Sequence, residues 1–179
     1  MDGAVETMNR VTVGDSSANL LVSGRLYFTF FTALSSITAT KFKIQSTGTA
    51  AASITLARLG LYTAPNADGS GMTCVAACAN TTSLMSATFT EYTPAFATNT
   101  VGGTAMPTSY NLVQGARYAV GILFVGTTMP RLYGNSYMPS FAFQPPRMCG
   151  SLASQSDLVL NPGALSNTPT GTAYVALTT

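Results

Sequence analysis

The sequence has no histidine, only three cysteines, and few charged residues: 8% of the chain, against roughly 25% in an ordinary soluble domain. Without imidazole there can be no Ser-His-Asp or Cys-His triad, no His-based zinc site and no usual proton shuttle. Cys74, Cys78 and Cys149 are too few for a four-cysteine metal site, and an odd number cannot pair fully within one chain. Cys74 and Cys78 are four apart, so on one regular strand they would share a face with Cα atoms about 13 Å apart, beyond disulfide reach. All three are expected to be free, small, apolar thiols of a reducing compartment. Eight Lys/Arg and six Asp/Glu are scattered singly, for a net charge of +2. With no basic run and no aromatic-basic stripe, the chain lacks the concentrated positive face that nucleic acid requires. It has no phosphate-cradling loop, dinucleotide fingerprint or nucleophile elbow. No apolar run reaches the 18 residues of a spanning helix, so membrane insertion is not expected. The acidic start, Met1 to Glu6, lacks a basic region followed by an apolar one, and the expectation is synthesis in a cytoplasm without a secretory signal.

What is present points to sheet. Apolar residues make up 46% of 179 positions, too many for a disordered chain and enough for a core without metal or disulfide. The polar surface must come from Thr, Ser, Asn, Gln and backbone, and a surface so weakly charged associates readily. Short β-branched and aromatic runs alternate with Gly, Pro, Asn and Ser clusters, the pattern of a sandwich or barrel. Expected strands include 26–31, 40–45, 53–62, 72–79, 88–96, 110–113, 117–125, 140–143 and 173–177. In 40–45, Phe42 and Ile44 should face the core and Lys41, Lys43 and Gln45 solvent. In 53–62, Ile54 and Leu56 share one parity and Leu59 and Leu61 the other, which suggests a bulge or close approach at Gly60. The run Tyr118 to Val125 is apolar on both parities and reads as a central strand covered on both faces. Pro94 marks an edge or a strand end, 65–71 is a tight turn, 99–109 a loop, and 82–87 the best, very short, helix candidate. The resulting expectation is an all-β, antiparallel, jelly-roll-like β-sandwich over 19–179, with residues 1–18 as an N-terminal arm.

Paired carboxylates are the one common catalytic device left, since glycoside cleavage needs only two acids across a sugar bond. Of Asp2, Glu6, Asp15, Asp68, Glu91 and Asp157, Asp68 reads as a residue capping its own turn. Glu91 and Asp157 are the pair that would have to meet. Asn66-Ala67-Asp68-Gly69 lacks the later acids of a calcium loop, and Asn80-Thr81-Thr82 reads as a chance glycosylation match. Tyr133, Tyr137, Phe141 and Phe143 are candidate binding or interface residues: they could stack on sugar rings, and interfaces enrich the same residue types. The expectation is no enzyme, no cofactor and no metal site.

Five stretches carry a family resemblance: Gly24 to Lys43, Leu59-Gly60-Leu61-Tyr62-Thr63 before an Asn/Asp/Gly turn, Tyr110 to Gly121, Pro130 to Gly134, and Gln155 to Leu158. Together they resemble a recurrent module of minor tail and fibre proteins of actinobacterial phages, over roughly residues 20 to 178. The resemblance implies a β-sandwich virion protein that assembles as a homo-oligomer, often a trimer, beside other virion proteins. It favours tail or fibre attachment to the host surface, with a host glycan as candidate partner. A short copy of the module also fits capsid decoration, with the 1–18 arm as anchor, and the aromatics keep a carbohydrate-binding module as a further alternative. No catalytic residues come with the resemblance.

Overall fold

The computed structural model describes residues 4–135, 140–167 and 171–179. Among these the chain is all-β, with two short 3-10 turns, Arg10–Thr12 and Ser140–Phe143, and no α-helix. The first half carries β1 (Val5–Glu6), β2 (Gly14–Leu20), β3 (Leu26–Thr32), β4 (Ile37–Ala39), β5 (Lys41–Gln45), β6 (Ala52–Thr63), β7 (Thr73–Ala77) and β8 (Glu91–Tyr92). The second carries β9 (Thr100–Val101), β10 (Thr104–Ala105), β11 (Tyr110–Leu112), β12 (Arg117–Thr128), β13 (Arg131–Asn135), β14 (Cys149–Leu152), β15 (Thr172–Ala173) and β16 (Val175–Thr178).

The centre is an antiparallel five-stranded sheet in the order β14-β3-β12-β6-β7. As its two-parity apolar pattern predicts, β12 is buried on both faces. Tyr118, Val120, Ile122 and Phe124 point to one side, where Leu59 and Leu61 of β6 join them. A second antiparallel sheet, β1-β16-β5-β8, closes over this side with Val5, Phe42, Ile44, Val175 and Leu177. Two sheets with interdigitated inner faces make a β-sandwich. On the other side Ala119 and Leu123 pack with Leu26, Phe28, Phe30 and Tyr62. That face is coated by the β9–β10 hairpin and by Leu158 of the 153–165 connection. The third sheet, β15-β13-β2, and the β11–β4 pair extend the rim. Within the expected arm two short segments are paired, β1 with β16 and the start of β2 with β13, and Val5 is buried.

Several local expectations change. Residues 140–143 form a 3-10 turn instead of a strand. The 82–87 segment is a run of turns. Pro94 cuts the 88–96 strand to two residues on the sheet edge, followed by bridges at Ala95 and Phe96. The 99–109 loop contains a hairpin whose central residues, Gly102 (φ +55°) and Gly103 (φ +82°), both take the positive φ of a primed turn. The parity switch in β6 lies at Thr55, the extra residue opposite the Val125/Gly126 step, and not at Gly60. Leu56 therefore packs on the outer face, and Ile54 joins Leu59 and Leu61. A second bulge leaves Val75 unpaired in β7, which turns Cys74 and Cys78 to opposite faces. A regular strand would have kept them on one face; the bulge costs one residue of period.

All three thiols are free and buried. Burial pushes Cys74 up to about 11 and Cys149 up to about 12, so neither is a thiolate near neutrality, and thiolate is the reactive form. No reaction with a thiol reagent is expected in the folded state at about pH 8, and three equivalents after urea unfolding. The folded state holds these two protons where the unfolded chain releases them near the ordinary 9.0. Their contribution is therefore fully present below about pH 9 and is lost as pH rises through 11 and 12. Urea midpoints taken across that window should fall, whereas those between about pH 7 and 8.5 should be flat with respect to the thiols.

Candidate functional site

Strand alternation decides which side chains can reach solvent. On β5, Phe42 and Ile44 are buried, so Lys41, Lys43 and Gln45 lie on the outer face of the four-stranded sheet. On β13, Leu132 enters the core and Tyr133 points out. Tyr174 sits between β15 and β16, and its neighbour Val175 is fully buried. An antiparallel bridge from Ser46 to Leu132 joins the end of β5 to β13 and brings Gln45 alongside Tyr133. The Tyr174 N–H donates to the Tyr133 carbonyl at 2.9 Å, which fixes the two tyrosines side by side. Glu91 of β8 pairs with Gln45 across the opposite edge.

These residues line a cleft of about 300 Å³ together with Arg10. An adjoining groove of about 600 Å³ shares Arg10 and Lys43 and runs past Lys41, Thr93 and Thr178. In the smaller cleft each cation faces a carboxylate, whereas Lys41 of the adjoining groove has no acidic partner among the described residues. The Arg10 Nε donates to Glu6 Oε1 at 2.6 Å and to the Tyr174 hydroxyl at 3.1 Å. Lys43 Nζ lies 2.8 Å from Glu91 Oε2. Burial, reinforced by the Glu6 charge, pushes the Tyr174 phenol above its ordinary range, so it keeps its proton. The cleft thus offers N–H and O–H donors, carboxylate and amide acceptors, and two half-exposed phenol rings within one concavity.

Of the aromatics expected to bind or to form an interface, Tyr133 lines the cleft. Tyr137 lies outside the described residues. Phe141 belongs to the 3-10 turn, and its side chain is likewise outside the described set. Phe143 is half-buried near β14 and does not line the cleft. The alternation of 41–45 marks Lys43 and Gln45 as outward, but nothing in the sequence joins them to Tyr133 and Tyr174; the sheet pairing does that.

The described acids are all engaged. Glu6 pairs with Arg10, Asp15 with Arg131 at 3.3 Å, Glu91 with Lys43 and Asp157 with Arg58. Asp68 accepts from the Ser70 N–H at 2.9 Å, capping its turn, and that bond lowers its pKa. Glu91 and Asp157 are tied to cations on different layers of the fold, so the one carboxylate pair considered for catalysis does not form. Among the described residues no group of His, Cys, Asp and Glu could hold a metal ion.

The chain matches no known protein-family description and no curated protein sequence.

Proposed function

We propose that the chain is a non-enzymatic structural protein of a bacteriophage particle, exposed on the particle surface and associated with the tail or its fibres, where it meets the host. The observation that carries this reading is the use made of the ionisable groups. Each described carboxylate is spent on a cation or a turn, and the outward surface carries sheet faces and a mixed polar-aromatic cleft. The stretches that resemble phage tail modules support it from the sequence side. Two of them, Leu59 to Thr63 and Tyr110 to Gly121, run through β6, β11 and β12, so the likeness falls largely on the framework of the fold. A weakly charged surface also suits assembly into a homotrimer beside other virion proteins, with little electrostatic self-repulsion.

Antibody-gold labelling of intact particles tests the assignment. Gold at the tail or fibre tip is the expected result. Gold over the head shell would move the chain to capsid decoration, and particles without gold, under conditions where the purified chain is recognised, would sink the virion reading.

A further inference from the structure

We propose that the cleft between Tyr133, Tyr174, Gln45 and the Lys43–Glu91 pair is a subsite for one residue of a neutral, hydroxyl-rich glycan, with the groove over β5 and β16 carrying the adjoining residues. The inference deepens the attachment reading and rests on it for the choice of a host-surface polymer; the cleft itself is argued from its chemistry.

Size comes first. About 300 Å³ is the lower end of the range for ligand sites, about 300–1,000 Å³, which suits one ring more than a long acyl chain. Position comes next: the cleft lies where β13 is stitched to β5 by the Ser46–Leu132 bridge, so strands of two sheets supply its walls. The rings are held by backbone, not by a mobile loop, because Tyr133 and Tyr174 are coupled through the Tyr174 N–H.

Charge then selects the ligand. Arg10 and Lys43 each face a carboxylate at hydrogen-bond distance. Neither offers the uncompensated positive field that phosphate or sulfate would require. A neutral polyol has no such need. Its hydroxyls can accept from Arg10 and Lys43, donate to Glu91, and do both with the Gln45 amide. The apolar face of a sugar ring can lie against a phenol ring, burying C–H surface at low entropic cost. The groove past Thr93 and Thr178 continues the same hydroxyl- and amine-lined surface, as a polymer would need.

The test uses the purified full-length chain and named probes: maltohexaose, cellohexaose, chitohexaose and mannohexaose, with heparin hexasaccharide as the anionic control, followed by isothermal titration and amide chemical-shift mapping. At least one neutral probe should bind, with shifts centred on 43–45, 133–134 and 174. Tyr133→Ala and Gln45→Ala should each weaken it roughly tenfold, and Tyr174→Phe less. All three positions are half-exposed, so thermal midpoints should stay near the parent value and separate lost binding from lost folding. Binding should change little between low and moderate salt. No titration with any neutral probe overturns the proposal. So does binding unchanged by Tyr133→Ala and Gln45→Ala, or heparin binding that collapses with salt. None of these outcomes depends on where the chain sits on a particle, so the failure of this site and the failure of the virion reading are seen separately.

Discussion

Asp157→Ala should lower the stability of the chain by about 3 kcal/mol, the lower end of the cost of stripping one partner from a buried ion pair. Arg58 is 5% exposed at the middle of β6. Its Nη1 donates to both Asp157 carboxylate oxygens at 2.7 and 2.9 Å, its Nη2 to Asn99 Oδ1 at 2.7 Å, and its Nε to the Cys78 carbonyl at 3.3 Å. Asp157 in turn accepts from the Leu158 N–H at 2.7 Å. One guanidinium thus pins the β9–β10 region and the 153–165 connection to the central sheet. Without the carboxylate, the buried Arg58 guanidinium keeps only neutral acceptors. Asp157 is half-exposed and already partly hydrated, which is why the lower end of the range applies. For a chain of this length the expected fall in melting temperature is roughly 6–12 °C, measured by circular dichroism. The loss should be local first: the Cys74 N–H, which donates to the Leu160 carbonyl at 2.8 Å, should lose hydrogen-exchange protection before the amides of β12. A double Arg58→Met, Asp157→Leu variant should recover most of the stability, since well-packed apolar replacements of buried pairs are commonly neutral. A melting temperature unchanged by Asp157→Ala would show that the pair holds nothing in place.

Gly121→Ala is the second large effect expected, a net loss of about 1–2 kcal/mol. Gly121 of β12 and Gly60 of β6 lie directly opposite each other. The Tyr62 ring, fully buried and edge-on to Phe28 at 5.1 Å, lies across both. A Cβ on either glycine would come within 2.8 Å of the same ring carbon, and one on Gly121 would also press on Leu26 and Phe28 at 3.2 Å. Overpacking of this kind costs about 1–3 kcal/mol, offset by the roughly 0.5–1 kcal/mol that Ala gains over Gly within a strand. The steric origin is checked by a cycle with Tyr62→Val, in which the cost of Gly121→Ala should fall by about 1 kcal/mol or more. Equal costs in both backgrounds, read from urea midpoints, would put the cause elsewhere.

These two sites mark how far the sequence could be read. The all-β class and the buried centre at Tyr118 to Val125 are legible, because alternation and its absence directly encode one-face or two-face burial. Gly60 stands out in sequence as a break in an apolar run, but its partner is 61 residues away and the shared ring can be found only from register. The parity switch in β6 is legible but its place at Thr55 is not, and the bulge at Val75 is invisible, for a related reason. Both bulges insert a residue without a glycine or proline to announce it, and each reverses the parity of the strand beyond it, which is why Cys74 and Cys78 part company. The hairpin at 100–105 hides in a Gly/Thr/Pro stretch that reads as loop until both glycines are seen at positive φ. Of the cleft, Tyr133 can be nominated from composition; Arg10, Lys43, Gln45, Glu91 and Tyr174 cannot, since four separate segments of chain supply them. Nothing in the sequence gives Asp157 its cation, because Arg58 lies 99 positions away as the one charged residue of β6.

The most direct measurement is quantitative mass spectrometry of particles banded on a density gradient, prepared from cells that make this chain from its native genome. Peptides of the chain should co-band with the major capsid protein, at a fixed copy number per particle that is a multiple of three. Their absence from the banded particles, with the chain free in the lysate at comparable abundance, would contradict the account.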